Sequence, residues 1–317
     1  MGNLHLVDKE LLTGLDMLPI FDFAALDIVA VRAALAARRG ALAVPQMPGL
    51  RSEWLTVPGP AGAPDVRVAM HRPAAEKWPL PAILHIHGGG YVIGAATLED
   101  IASRALVDAL GCAIFSVDYR LAPETAHPGP VEDCYAALCY VVANAGALGV
   151  DTTRLGIMGE SAGGGIAAGL ALLARDRGGP GLAFQHLIYP MLDDRTCVAA
   201  DPHPYTGEFV WGLAQNRYGW AALLGQEPGG ADVSPYAAAA RAADLSGLPP
   251  AFMAVGALDL FLEENLEYAR RLTRAGVPVE LHVYPGAYHG FQLAADARVT
   301  QAANRDSVAA LRRALGT

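Results

Sequence analysis

With 317 residues, 53% of them apolar and only 17% charged, the chain has a large interior to fill, which excludes disorder as its general state. Its formal net charge is −9 and no Lys/Arg cluster offsets it, which argues against nucleic acid as a partner. Four cysteines (Cys112, Cys134, Cys139, Cys197), no two in CxxC spacing, make neither a disulfide framework nor a zinc site and read as reduced, buried thiols.

Residues 11–37 are the most apolar early stretch, but Asp16, Asp22 and Asp27 interrupt them, so no membrane-spanning helix is expected there. Residues 1–10 lack the basic start and apolar block of a secretory leader, and Leu6 stands where a myristoylation signal needs Ser or Thr. A soluble, cytoplasmic protein with no membrane partner is expected. Within 22–39, Phe23, Leu26, Ile28, Val31 and Leu35 recur in the pattern of an amphipathic helix. A Pro/Gly-rich stretch, 45–64, is broken by a short strand at 54–57, and a second strand runs over 66–70.

From there short apolar runs alternate with longer helical patterns. Strands are predicted over 82–86, 112–117, 155–158, 184–188, 252–255 and 279–284, and helices near 98–110, 131–145, 162–176, 262–275 and 297–315. Such alternation argues for an α/β fold, a mostly parallel sheet covered on both faces. Residues 191–240 break the rhythm; they are too long for a plain loop and read as an inserted, mostly helical piece over the sheet's edge.

The chemistry begins with Gly159-Glu160-Ser161-Ala162-Gly163. Gly-x-Ser-x-Gly between a strand and a helix places serine on a sharp turn with its Oγ exposed, and residues 155–158 and 162–175 supply that strand and that helix. A nucleophilic serine needs donors for the oxyanion it creates, and His87-Gly88-Gly89-Gly90-Tyr91 follows a strand with three residues that offer N–H groups without an obstructing Cβ. Of the four histidines after Ser161, His186 and His282 sit inside strand patterns and His203 lies between two prolines. His289, in a turn between the last strand and the last helix, is the candidate base. Asp259 closes a strand and is the candidate acid, while Glu263 and Glu264 open the next helix, where they favour its positive end.

The ordered set His87-Gly88-Gly89-Gly90, residues 118–124 (Asp-Tyr-Arg-Leu-Ala-Pro-Glu), Gly159-Glu160-Ser161-Ala162-Gly163-Gly164 and His289-Gly290-Phe291 resembles the hormone-sensitive-lipase-like branch (family IV) of the α/β-hydrolases, mainly carboxylesterases of short acyl chains. The resemblance covers about residues 80–291. It implies an eight-stranded, mostly parallel sheet flanked by helices, with a helical cap from residues 1–50 and 191–240 over a catalytic domain of 51–190 and 241–317. It also implies that Gly88, Gly89 and Ala162 donate to the oxyanion. The chain departs from the family's pattern at Glu160, where Asp is commoner, and at Leu260, where Pro usually follows the acid.

Arg120 and Glu124 are expected to brace the loop below the oxyanion turn. Tyr91 and Trp211 are the candidates for touching substrate, although packing of cap helices explains Trp211, Tyr218 and Trp220 equally well. The reading is a serine carboxylesterase of short- to medium-chain acyl esters, with a triad of Ser161, His289 and Asp259. It needs no cofactor or metal, and its partner is a small-molecule ester; a homo-oligomer is possible. An amidase or acyltransferase on the same triad, or a non-catalytic receptor on the same fold, are the alternatives.

Overall fold

The structure is a computed structural model and describes residues 2–15, 27–40, 47–75 and 79–317. Eight strands form one sheet: β1 (Leu50–Val57), β2 (Val66–Pro73), β3 (Leu80–Ile86), β4 (Ala113–Asp118), β5 (Val150–Glu160), β6 (Gln185–Ile188), β7 (Ala251–Gly256) and β8 (Val279–Tyr284). Their order is β1-β2-β4-β3-β5-β6-β7-β8, with β1, β2 and β4 paired antiparallel and every other neighbour parallel.

The helices are α1 (Ile28–Gly40), α2 (Asp100–Leu110), α3 (Gly129–Ala143), α4 (Ala162–Asp176), α5 (Leu213–Leu224), α6 (Leu262–Arg274) and α7 (Arg298–Leu315), with shorter turns between. Of the expected 22–39 helix, residues 28–40 are observed and 22–26 lie outside the described residues.

β3 and β7 are buried at every position, which is why they read as unbroken apolar runs. Side chains on opposite faces enter different cores. Leu84, Ile86, Phe115, Val117 and Ile157 pack with α3 and α4, whereas Ile83, Ile114 and Met158 pack with Val107 and Leu110 of α2 and Leu311 and Leu315 of α7. α4 is buried from Ala162 to Ala174, and its Gly/Ala-rich sequence lets it approach the sheet closely.

The chain steps from β3 outward to β4 and then returns to the other side of β3 as β5. That reversal leaves a crevice beyond the carboxyl ends of β3 and β5, where parallel sheets of this kind hold their ligands. Ile86 pairs with Gly159, so the two strands end level and release His87 and Ser161 side by side.

Residues 191–240 contain no strand but are less helical than expected: α5 and a 3-10 turn over Asp194–Val198 are the only helical elements before Ala239. Pro202, Pro204, Pro228 and Pro235, with Gly207 and Gly229 at positive φ, keep the rest irregular. A buried Asp194 ties the segment together, accepting from Arg241 at 2.5 and 2.8 Å and from the Gly229 N–H at 2.6 Å. The four cysteines are free thiols, Cys112 and Cys134 buried as expected, Cys139 and Cys197 only half-buried. Among the described residues no helix is long and apolar enough to cross a membrane.

Candidate active site

β5 ends in the turn that carries Ser161, whose backbone sits at φ 55°, ψ −121°, a conformation that L-residues rarely adopt. The turn is possible because its neighbours are small. A Cβ on Gly163 would lie 2.1 Å from the Ile86 carbonyl oxygen and 2.4 Å from that of His87. The Ser161 N–H donates to the Ile188 carbonyl at 2.9 Å, fixing the strained residue to β6.

Ser161 Oγ lies 2.9 Å from His289 Nε2, and His289 Nδ1 lies 2.8 Å from Asp259 Oδ2. The other carboxylate oxygen of Asp259 accepts the Phe261 N–H at 2.9 Å. All three side chains are buried, Asp259 completely. β7 delivers Asp259 and β8 delivers His289, both past the carboxyl edge of the sheet. Glu264 binds elsewhere: its buried carboxyl accepts the Leu192 N–H at 2.6 Å and the Thr196 hydroxyl, and burial pushes its pKa well above the usual carboxyl range. Glu263 is exposed. Neither glutamate is bonded to His289.

The glycine run borders the serine directly. A Cβ on Gly88 would sit 3.4 Å from the Ser161 Cβ. Gly89 has φ +122°, open only to glycine, and its carbonyl accepts the N–H groups of both Val92 and Ile93, which closes the turn. Ala162 opens α4, where a helix leaves its first N–H groups without intrahelical partners.

His87 locks the turn from below. Burial pushes its pKa down to about 4, so at neutral pH the ring is uncharged and its Nδ1–H donates to the Gly88 carbonyl at 2.8 Å. The Tyr119 ring stacks on it at 4.2 Å, and the Tyr119 hydroxyl donates to the His87 carbonyl at 2.8 Å.

Glu160, beside the serine, is 2.9 Å from His85 Nε2, and His85 Nδ1 is 3.1 Å from the Ser116 hydroxyl. Burial works against a charged His85, but the Glu160 carboxylate outweighs it and raises its pKa. Glu160 is therefore a paired carboxylate on β5.

Other expectations are redrawn by the tertiary structure. Tyr91 has no accessible surface; its hydroxyl donates to the Met191 carbonyl at 3.1 Å, so it supports the turn from within and offers nothing to a substrate. Trp220 is equally enclosed, packing on Tyr91 at 5.2 Å. Trp211 does stand at the site, its indole against Gly90 and 6.2 Å from the His289 ring. Arg120 and Glu124 brace as expected, but neither is buried and they do not pair with each other. Arg120 grips Asp133 of α3, and Glu124 pairs with Arg32 of α1.

Two neighbours of His289 escaped the sequence reading: Tyr189, whose ring is 4.6 Å away, and Phe261, edge-on at 5.1 Å. Both follow strand ends, β6 and β7, and that placement was the available signal. A separate cavity of about 480 Å³, lined in part by Arg241, Glu264, Tyr268 and Arg271, includes none of Ser161, Asp259 and His289.

A strained serine turn, a histidine and a buried aspartate in one hydrogen-bonded line, beside a glycine turn at the carboxyl edge of an eight-stranded sheet, form the arrangement of an α/β-hydrolase fold. The profile of a family described as an alpha/beta hydrolase fold matches residues 83–293, and the chain belongs to that family, in its hormone-sensitive-lipase-like branch. It is 38% identical over 316 residues to carboxylesterase NlhH of Mycobacterium tuberculosis, covering 98% of this chain and 96% of that protein. It is 35% identical over 269 residues to esterase LipI of the same organism, covering 84% and 83% of the two chains. Among solved structures, a bacterial heroin esterase superposes with a TM-score of 0.91 at 41% identity, over 98% of this chain and 99% of that one.

Proposed function

We propose that this carboxylic ester hydrolase works through Ser161, His289 and Asp259 by way of an acyl-enzyme, on esters of short- to medium-chain acids. The observation that carries the reading is the unbroken hydrogen-bonded line from Ser161 Oγ through His289 to a fully buried Asp259. His289 Nε2 takes the serine proton as Oγ attacks the ester carbonyl. Asp259 holds the proton on Nδ1 and stabilises the imidazolium that forms. The N–H groups of Gly88, Gly89 and Ala162 receive the oxyanion. His289 then protonates the leaving alcohol, and water repeats the sequence on the acyl-enzyme.

The limit on chain length rests on Trp211. Residues 191–240 and the N-terminal helix act as a cap, and Trp211 is its wall above the triad. The indole N–H donates to Asn216 Oδ1 at 3.3 Å, and the fully buried Asn216 donates in turn to Cys197 Sγ at 3.2 Å. The Trp211 N–H donates to the Phe209 carbonyl across Val210, which is held at φ +65°. A β-branched residue at positive φ persists only where its surroundings over-determine it, so the wall is fixed rather than a swinging lid.

Each methylene accepted by a pocket contributes roughly 0.8 kcal/mol, so selectivity climbs over a few carbons and collapses at the wall. A panel of p-nitrophenyl esters from acetate to palmitate, run beside an anilide, tests this. The best kcat/KM is expected at about four to eight acyl carbons, with no activation above micelle formation. An optimum at palmitate, or interfacial activation, contradicts the fixed wall. Faster cleavage of the anilide than of any ester contradicts the ester reading itself.

A further inference from the structure

The oxyanion turn is gripped from outside the catalytic domain by one side chain. Arg32, on the N-terminal helix α1, donates from Nε to the Val92 carbonyl at 2.7 Å and from Nη2 to the Ala122 carbonyl at 2.6 Å. Its two terminal nitrogens also meet both carboxylate oxygens of Glu124, at 2.8 and 2.9 Å. Val92 and Ala122 come from different loops, joined by the bond from the Ala122 N–H to the Tyr91 carbonyl at 3.0 Å. One planar guanidinium therefore staples the end of the glycine turn to the loop that follows β4.

The staple reaches the chemistry through two hydrogen bonds. Val92 and Ile93 donate their N–H groups to the Gly89 carbonyl at 3.1 and 2.9 Å. Holding Val92 thus fixes the Gly89 carbonyl and its peptide plane, which adjoins the Gly89 N–H across a single Cα, while His87 fixes the plane on the other side through the Gly88 carbonyl. The inner side of the turn already has its supports, His87 on the Gly88 carbonyl and Tyr119 on the His87 carbonyl. Arg32 supplies the support on the outer side.

We infer that Arg32 is a positioning residue: it holds the 88–93 turn in register for oxyanion binding and so makes catalysis depend on the seating of the N-terminal helix. The inference rests on the oxyanion role proposed for Gly88 and Gly89. The donor pattern explains why the residue is arginine. Three acceptor groups taken by Nε, Nη1 and Nη2 at 2.6–2.9 Å use the whole guanidinium fork, and an ammonium cannot reach all of them in fixed directions.

The test compares wild type, Arg32→Ala and Arg32→Lys on one short-chain p-nitrophenyl ester. Each is normalised to sites titrated by diethyl p-nitrophenyl phosphate, which counts reactive serines regardless of rate, and thermal unfolding is recorded in parallel. Because one oxyanion donor is worth about 10²–10³ in kcat, a misdirected turn should lower kcat per titrated site about tenfold to a hundredfold in Arg32→Ala, with KM changed by less than about threefold. Arg32→Lys should recover only part of that loss. Millimolar guanidinium chloride should raise the kcat of Arg32→Ala, where the same concentration of sodium chloride does not.

A kcat per titrated site equal to wild type in Arg32→Ala, even with lowered thermal stability, would reduce Arg32 to a tether and overturn the inference. Should Arg32→Ala not fold, Arg32→Lys decides, and full turnover there overturns it equally. A wild-type protein that neither hydrolyses the ester nor reacts with the phosphate would instead remove the proposed function on which the inference stands.

Discussion

Replacing Asp259 by Asn removes one charge and no volume, and the structure fixes how the amide must sit. Asp259 Oδ1 accepts the Phe261 N–H at 2.9 Å while Oδ2 accepts the His289 Nδ1–H at 2.8 Å. An amide that turned its NH₂ toward Phe261 would set donor against donor in a site with no access to water, a cost of about 1–3 kcal/mol. The oxygen must therefore stay on Phe261, and the NH₂ must face His289. The imidazole can answer only by accepting at Nδ1 and carrying its proton on Nε2, the nitrogen 2.9 Å from Ser161 Oγ. In that tautomer it cannot take the serine proton. Turnover should fall by about 10³–10⁴-fold, equivalent to roughly 4–5.5 kcal/mol of barrier, with the melting temperature little changed. The assay is kcat on a p-nitrophenyl ester beside a thermal melt. A variant within tenfold of wild type would refute the reasoning, as would a large loss from Glu263→Gln or Glu264→Gln with Asp259→Asn mild.

Ser161→Ala should leave a folded protein whose esterase activity is lower by on the order of 10⁴-fold or more; a tenth of wild-type activity would end the serine-nucleophile proposal. Gly163→Ala forces a Cβ to 2.1 Å from the Ile86 carbonyl, so the start of α4 and the end of β3 must part. Urea unfolding should show a loss of about 1–3 kcal/mol, and kcat should drop about a hundredfold or more as the serine moves from its donors. Stability should also fall with acidification. Burial lowers the pKa of His87 to about 4 and of His186 to about 3, so the folded chain binds fewer protons there than the unfolded chain, whose histidines titrate near 6.5. Their contribution is present above the unfolded value of about 6.5 and is lost as pH falls toward 4 for His87 and toward 3 for His186, on the order of 3 kcal/mol from His87 alone. His71 and His127 act in the same direction and His85 opposes them. Urea midpoints that stay level between pH 7 and pH 5 in one buffer series, or a His186→Gln variant with an undiminished slope, would contradict this assignment.

Much of the molecule could be read along the chain because its determinants are local. β3 and β7 announce themselves as apolar runs since parallel strands are buried on both faces. The serine turn declares itself because Gly159 and Gly163 stand within two residues of Ser161, where the backbone approach demands them. The position of His289 followed from chain order, because a loop beyond the last strand can lie only at one end of a parallel sheet. The departure at Glu160 is visible in the chain, but its partner, the His85 ring on the adjacent strand β3, stands 75 residues away in sequence.

What the chain could not disclose are partners chosen across long separations. Arg120 and Glu124 were expected to brace one loop, but the partners through which each does so, Asp133 and Arg32, come from other elements. Tyr91 looked available to substrate beside the glycine run, but φ +68° sends its ring inward to the Met191 carbonyl, 100 residues away in sequence. Trp211 and Trp220 carry the same side chain nine positions apart, and only the docking of α5 onto Gly90 and Tyr91 leaves one at the triad and encloses the other. Sequence by itself determined the strands, the strained turn and the chain order of Ser161, Asp259 and His289 at strand ends, because each is written in the conformational limits of a few adjacent residues. Tertiary structure alone decided which polar group satisfies which, because desolvation lets a buried donor take whichever acceptor the packed elements bring within about 3 Å, whatever its distance along the chain.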